Sequence, residues 1–251
     1  MTDRDFYRLQ NQWSQIYFRG IHDSDIDKVA WVESVTGRKQ KSILELGAGG
    51  GQFAVTASMA GYLVTAVEIE PEFVKYIREL ADSQHQEKLR IIQGDFHKIE
   101  IDRKFDLICY WDGFGVGSDD QQIRLLTKIN SWLSENGSAL IDIYTPWYWA
   151  TKAYGVTQKL GNAIRKYGFD FEANCLVDTW WHSEDPEIQK EQRLRCYSPA
   201  DLGLLLADLD LEIEAIYPGG SVDYEAGVYE PEVPLERAMS YTVHLTHKKA
   251  G

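Results

Sequence analysis

Between residues 42 and 144 the chain passes repeatedly from short apolar, β-branched runs to stretches with helical spacing. That alternation restricts the fold more than any other feature of the sequence. SILEL (42 to 46) leads into a glycine loop and a helix ending at Gly61, and YLVTAVE (62 to 68) follows. A helix after Pro71 carries Phe73, Ile77 and Leu80 on one face, and LRIIQ (89 to 93) and FDLICYW (105 to 111) are further strands. A helix over about 119 to 133 ends at the turn Glu135-Asn136-Gly137, before SALIDIY (138 to 144). Strands this continuously apolar are buried on both faces, which calls for a parallel sheet with helices on each side: an α/β, three-layer sandwich.

The flanking segments obey other rhythms. Residues 4 to 36 predict two helices, the second capped by Ser24 or Asp25, with Ile26, Val29, Ala30 and Val32 facing inward and a stop at Gly37. Residues 144 to 197 hold about a third of the chain's aromatic residues in about a fifth of its length. They predict a helix near 150 to 166 and a strand over 169 to 182, with Phe169, Phe171, Ala173, Cys175, Val177, Thr179 and Trp181 sharing a face. After the turn SEDPE the chain returns through IQKEQRLRCY, making an antiparallel, aromatic-rich flap. A helix over about 199 to 208, a strand at 211 to 217, an acidic loop and a last strand at 240 to 247 resume the sheet pattern. At 251 residues the expectation is a single domain over 1–251, made of an N-terminal helical cap (1–40), a core (41–144), the flap insertion (145–197) and completion of the sheet (198–251).

Charge narrows the partners. With 26 basic and 39 acidic residues the formal net charge is −13, which opposes a sequence-independent grip on nucleic acid or an anionic membrane. The three cysteines, Cys109, Cys175 and Cys196, match neither a disulfide framework nor a zinc site, and no histidine cluster has metal-ligand spacing. No stretch has the apolar length of a membrane span and the N-terminus lacks a secretory core, so the expected location is cytoplasmic, with no metal, as a monomer or homodimer.

The chemistry-bearing motif is Glu45-Leu46-Gly47-Ala48-Gly49-Gly50-Gly51-Gln52, a buried strand running into glycines and then a helix. Glycines let the backbone turn sharply and let a ligand approach the main chain. Glu68 closes the next strand, where a carboxylate accepts hydrogen bonds from ribose hydroxyls, and Gly94-Asp95-Phe96 follows the third strand at the same edge. A dinucleotide fingerprint wants a small residue where Gln52 stands, an ATP loop wants a lysine that is absent, and Glu45 suits a cationic ligand better than a pyrophosphate.

In order and spacing these elements resemble class I S-adenosylmethionine-dependent methyltransferases, strongly over about residues 40 to 146. The resemblance implies a Rossmann-like, mostly parallel seven-stranded sheet whose last strand is antiparallel. It implies S-adenosyl-L-methionine as cofactor and S-adenosyl-L-homocysteine as product. Glu45, Gly47, Ala48, Gly49, Gly51, Gln52, Glu68, Ile69, Asp95 and Phe96 then form the cofactor site, joined by Trp111 after the fourth strand and Tyr17 from the N-terminal cap. The N/D-P-P-aromatic segment of base-modifying DNA enzymes is absent after strand four.

The acceptor side is less constrained. Tyr7, Trp13, Tyr144, Trp147 and Trp181 either wall an apolar or heteroaromatic small molecule or pack the cap and flap onto the sheet, and Arg193 either clamps an anionic group or pairs within the flap. Asp112 either orients an acceptor N–H or O–H or caps its loop, and His182 is either a general base or a solvent-facing turn residue. The expected function is methyl transfer to N or O, less readily C, of a small, aromatic or heteroaromatic acceptor. An NAD-dependent oxidoreductase and a non-catalytic binding module are the alternatives.

Overall fold

A computed structural model describes residues 3–36, 41–84 and 88–249. The expected helix stop at Gly37 and His85 lie outside the described residues. The chain begins with α1 (Asp3–Ser14) and α2 (Asp23–Thr36). The core follows as β1 (Ser42–Leu46), α3 (Gln52–Met59), β2 (Leu63–Glu68), α4 (Pro71–Ser83), β3 (Leu89–Gln93), β4 (Phe105–Phe114), α5 (Asp119–Trp132) and β5 (Leu133–Tyr144). Then come α6 (Pro146–Thr151), β6 (Thr157–Leu160), β7 (Ala163–Asp170), β8 (Cys175–His182), β9 (Asp185–Arg195) and α7 (Pro199–Leu205). The remainder is β10 (Glu212–Pro218), the hairpin β11 (Ser221–Asp223) and β12 (Val228–Glu230), and β13 (Ser240–Thr246).

The seven-stranded sheet has the order β10-β13-β5-β4-β1-β2-β3. β3, β2, β1, β4 and β5 are parallel, while β13 runs antiparallel to both β5 and β10, the arrangement that the motifs imply. Alternate residues divide between two cores. Leu44, Leu46, Ile108 and Tyr110 pack with α5, and Ile43, Leu107 and Cys109 pack with α2 and α3. After β3 the chain crosses back to lay β4 on the other side of β1. Ligands of open α/β sheets bind at such a reversal, outside the carboxyl ends of the strands.

The structure corrects several expected elements. In α2, Val29 and Val32 face the core, but Ile26 is 51% exposed and Ala30 is exposed; the buried place nearest them belongs to Asp25, held by Arg19. No helix spans 150 to 166. The stretch has helix-forming Lys, Leu, Ala and Arg, yet Gly161 at φ +60° makes a two-residue hairpin turn between β6 and β7, and sheet pairing prevails over local propensity. The long strand at 169 to 182 is two strands. Asp170 accepts the backbone N–H groups of Glu172 and Ala173, and Asn174 adopts φ +52°, so the chain turns between β7 and β8. The flap is therefore a four-stranded antiparallel sheet, β6-β7-β8-β9. The turn at 135 to 137 is a bulge inside β5, between the pairs Phe105↔Leu133 and Leu107↔Ser138.

One side chain fixes where β1 begins. Asp106 Oδ2 accepts Ser42 N at 3.0 Å, Ser42 Oγ at 3.0 Å and Lys41 N at 3.2 Å, tying the start of β1 to β4. Asp106→Ala is expected to lower stability by about 1–3 kcal/mol, read from the urea midpoint, with far-ultraviolet circular dichroism unchanged.

Candidate active site

A cavity of about 800 Å³ opens at the carboxyl ends of β1, β2 and β4. Its floor is the glycine loop, held from beneath by Glu68. Glu68 Oε2 accepts Gly49 N at 2.7 Å and Oε1 accepts Glu70 N at 2.8 Å, so one carboxylate fixes the end of β2 and the loop together. Each oxygen keeps lone pairs beyond these bonds, and the side chain is an acceptor that lines the cavity.

Closeness of the N-terminal segment explains the run of glycines. A Cβ on Gly50 would lie 1.9 Å from the Tyr17 carbonyl oxygen, and Gly49, at φ +55°, has the Tyr17 ring against it. Gln52 completes the clasp by donating Nε2 to the carbonyls of Tyr17 at 3.0 Å and Arg19 at 2.8 Å. The residue that argues against a dinucleotide loop thus ties the cap across the loop. Gly51 is not at the cavity wall; it sits under the loop, where its missing Cβ accommodates Ile77. The Tyr17 hydroxyl donates to Gln10 Oε1 at 2.8 Å, while its ring lines the cavity beside Phe73.

Glu45 is 3% exposed, and its Oε2 has no hydrogen-bond partner. Burial first, and then the neighbouring Glu68, push its carboxyl up to about 8. Along the wall, Asp95 accepts His97 N at 2.9 Å and pairs with Lys98 at 2.9 Å. Phe96 meets Tyr110 edge-on at 5.2 Å, and both rings face the cavity. Trp111 packs against Phe53, its indole N–H is buried without a partner, and Lys28 Nζ stands 3.8 Å from its ring centre. Lys28, Arg19 and Asp25 are cavity residues that the sequence reading misses. A lone lysine on a mixed helix gives no linear signal that it will reach Trp111 and Asp142.

Asp112 holds a left-handed backbone, φ +53°, at the tip of β4 and accepts the Tyr144 hydroxyl, which brings it to the cavity wall with Tyr7. Glu45, Gly47, Ala48, Gly49, Gln52, Glu68, Ile69, Asp95, Phe96, Trp111, Tyr17, Tyr7 and Asp112 therefore share one cavity.

Other expected site residues lie elsewhere. His182 ends β8, and its Nδ1 accepts Glu184 N at 3.3 Å in the hairpin turn, the bland alternative for that side chain. Trp147 donates to the Leu235 carbonyl at 2.9 Å, and Trp13 joins the Phe6, Ala163 and Trp180 cluster. Trp181 is paired within the flap opposite Ile164 and Gln189. Arg193 pairs with Asp170 and, at 3.5 Å, with Glu191. None of these five lines the cavity, because the aromatic segment after β5 fastens the flap to the sheet and leaves only Tyr144 close to Asp112. Among the described residues no group of three or more His, Cys, Asp or Glu is arranged to hold a metal ion, and no helix is long and apolar enough to cross a membrane.

Comparison with known proteins agrees with this layout. Residues 43–137, which carry the glycine loop, Glu68 and Asp95, match the family described as a methyltransferase domain. An uncharacterized methyltransferase of Bacillus cytotoxicus is 25% identical over 140 residues, 53% of this chain and 64% of that protein, so the alignment spans less than two thirds of the relative's length. An S-adenosylmethionine-dependent methyltransferase of Clostridium acetobutylicum superposes with TM-score 0.73 at 14% identity, covering 97% of this chain and 99% of that one. The glycopeptide N-methyltransferase MtfA, solved with S-adenosylmethionine, superposes with TM-score 0.60 at 15% identity, covering 92% and 96%. Over residues 43–137 the chain is similar to methyltransferase domains, and its fold is that of the S-adenosylmethionine-dependent methyltransferase with which it superposes.

The buried Glu45 carboxyl makes stability pH-dependent. Below the ordinary value of 4.5 it is protonated in folded and unfolded chain alike; above it the unfolded chain ionises while the folded protein retains the proton, so stability falls as pH rises to about 8. Glu45→Gln is expected to remove this contribution, matching wild type near pH 4.5 and exceeding it progressively to pH 8 by up to about 2–4 kcal/mol, measured by denaturant titration without cofactor.

Proposed function

We propose that this protein transfers the methyl group of S-adenosylmethionine to a nitrogen or oxygen of a small-molecule acceptor, nitrogen being favoured. The observation that carries the reading is a single cavity lined by an unpartnered buried carboxyl oxygen on Glu45, an acceptor carboxylate on Glu68 and, across from the glycine loop, Asp112. When bound, the cofactor supplies an electrophilic methyl on a sulfonium.

The chain's residues fit that group. Glu45 offers a carboxyl oxygen to an ammonium, and Glu68 retains lone pairs for the ribose hydroxyls. The Phe96 and Tyr110 rings and Asp95 line the cavity and would hold the cofactor's flat heterocycle. Gly47, Ala48 and Gly49 bring bare main chain to the cavity, while the segment around Tyr17, clasped by Gln52, covers it and excludes water.

Asp112 orients the acceptor. Its carboxylate already accepts the Tyr144 hydroxyl and presents negative charge to an N–H or O–H, holding the nucleophile by the proton it must shed. Methyl transfer needs donor and acceptor held close and collinear, and such positioning is worth up to about 7–11 kcal/mol. The N-methyltransferase MtfA, whose fold this chain shares, is consistent with a nitrogen acceptor.

Calorimetry with S-adenosylhomocysteine and NAD tests the cofactor assignment: the former binds and the latter does not. Glu68→Ala is expected to weaken S-adenosylhomocysteine binding about a hundredfold, and retention of wild-type affinity would contradict the placement. With a turned-over acceptor found by monitoring S-adenosylhomocysteine release across a panel of amines and phenols, Asp112→Asn is expected to lower kcat about a hundredfold without changing S-adenosylhomocysteine affinity. Binding without turnover of any panel member favours the non-catalytic module.

A further inference from the structure

A second, far smaller cavity of about 20 Å³ adjoins the large one. Tyr7, Tyr17 and Asp112 line both, so the small chamber lies beside the large cavity, on its flap side. Its flap-side wall includes Arg165, Asp178 and Gln192.

This wall is polar, buried and rich in donors. Asp178, 2% exposed, is gripped by Arg165 through Nε at 2.8 Å and Nη2 at 2.7 Å, which leaves Nη1 unengaged by that carboxylate. Directly opposite Asp178 in the β8–β9 register stands Gln192, 7% exposed, whose Nε2 is buried with no hydrogen-bond partner. Proteins seldom leave a buried amide donor unmade, because it loses its water and gains nothing in return. Gln192 lines a chamber that shares Tyr7, Tyr17 and Asp112 with the large cavity, and a buried donor in this state marks a place for an oxygen.

Size and charge define that oxygen. A volume of about 20 Å³ takes one water-sized group and excludes a ring. Two carboxylates, Asp112 and Asp178, line the chamber against one guanidinium, already neutralised by Asp178, so a further anion is repelled and a neutral oxygen is not. We infer that the side pocket reads one neutral carbonyl or hydroxyl oxygen carried by the methyl acceptor, and that Gln192 is the specificity-determining residue that binds it. The inference rests on the acceptor reading above. It makes the acceptor bifunctional: a nucleophile at Asp112 and an oxygen set into the flap.

The test uses the full-length chain, ¹⁵N-labelled and saturated with S-adenosylhomocysteine, with N-methylacetamide as the neutral oxygen probe and sodium acetate as its anionic counterpart. The Gln192 side-chain amide pair is assigned by its loss in Gln192→Met. N-methylacetamide is expected to shift that pair saturably, with acetate at least about tenfold weaker. In Gln192→Met the affinity for N-methylacetamide, read at the Asp112 backbone amide, is expected to fall about tenfold while S-adenosylhomocysteine affinity is unchanged, which also certifies the fold. Should the Met variant fail to fold, Gln192→Glu, which replaces the donor by an acceptor, is expected to show the same loss. No saturable shift of the Gln192 pair, or equal affinity for acetate, overturns the inference alone. Failure of S-adenosylhomocysteine to bind wild type overturns the reading of the large cavity and the inference with it.

Discussion

The architecture of the site depends on one carboxylate accepting two backbone N–H groups. Glu68, the last residue of β2, bridges that strand's end to the glycine loop after β1. Burying that charge is unfavourable, and burial raises the Glu68 carboxyl above its ordinary value despite the hydrogen bonds from Glu70 and Gly49. Glu45 lies close enough to feel its field and is raised further. Two acidic groups under one loop disfavour ionising together, and the rise of the Glu45 carboxyl beyond what burial causes is the consequence.

Above that floor the cap is an added layer tied on by polar bonds. Gln52 and the close approach of Tyr17 to Gly50 leave the loop no room for side chains. At the other end of the cap, Arg19 pairs with the partly buried Asp25, and Lys28 lies over Trp111. Arg19 and Lys28 are thus engaged by partners of the protein itself, although the chain as a whole carries −13.

The core was legible because its constraints are local and periodic. Buried parallel strands cannot alternate polar residues, and a glycine loop followed by Glu68 needs no tertiary information to be seen. The flap was not legible in the same way. At 150 to 166 local composition favours helix, and only pairing of β7 with β8 decides for sheet. The turn at 171 to 174 hides within an alternating pattern, and moving it reassigns the faces of Phe171 and Ala173. His182 and Arg193 have the right chemistry for a site and the wrong address, since a strand's register fixes where its end falls. Lys28 was invisible for the converse reason: its partner Asp142 lies on an element distant in sequence.

The flap pairs its four strands among themselves and meets the segment just after β4 at the β-bridge Val116↔Leu194. Its ladder owes little to the seven-stranded sheet, and the parallel core owes nothing to the flap's register. Changes in the insertion can accumulate without disturbing the half of the molecule that carries the glycine loop and Glu68. A lineage built on this plan can exchange its guest while keeping its reagent.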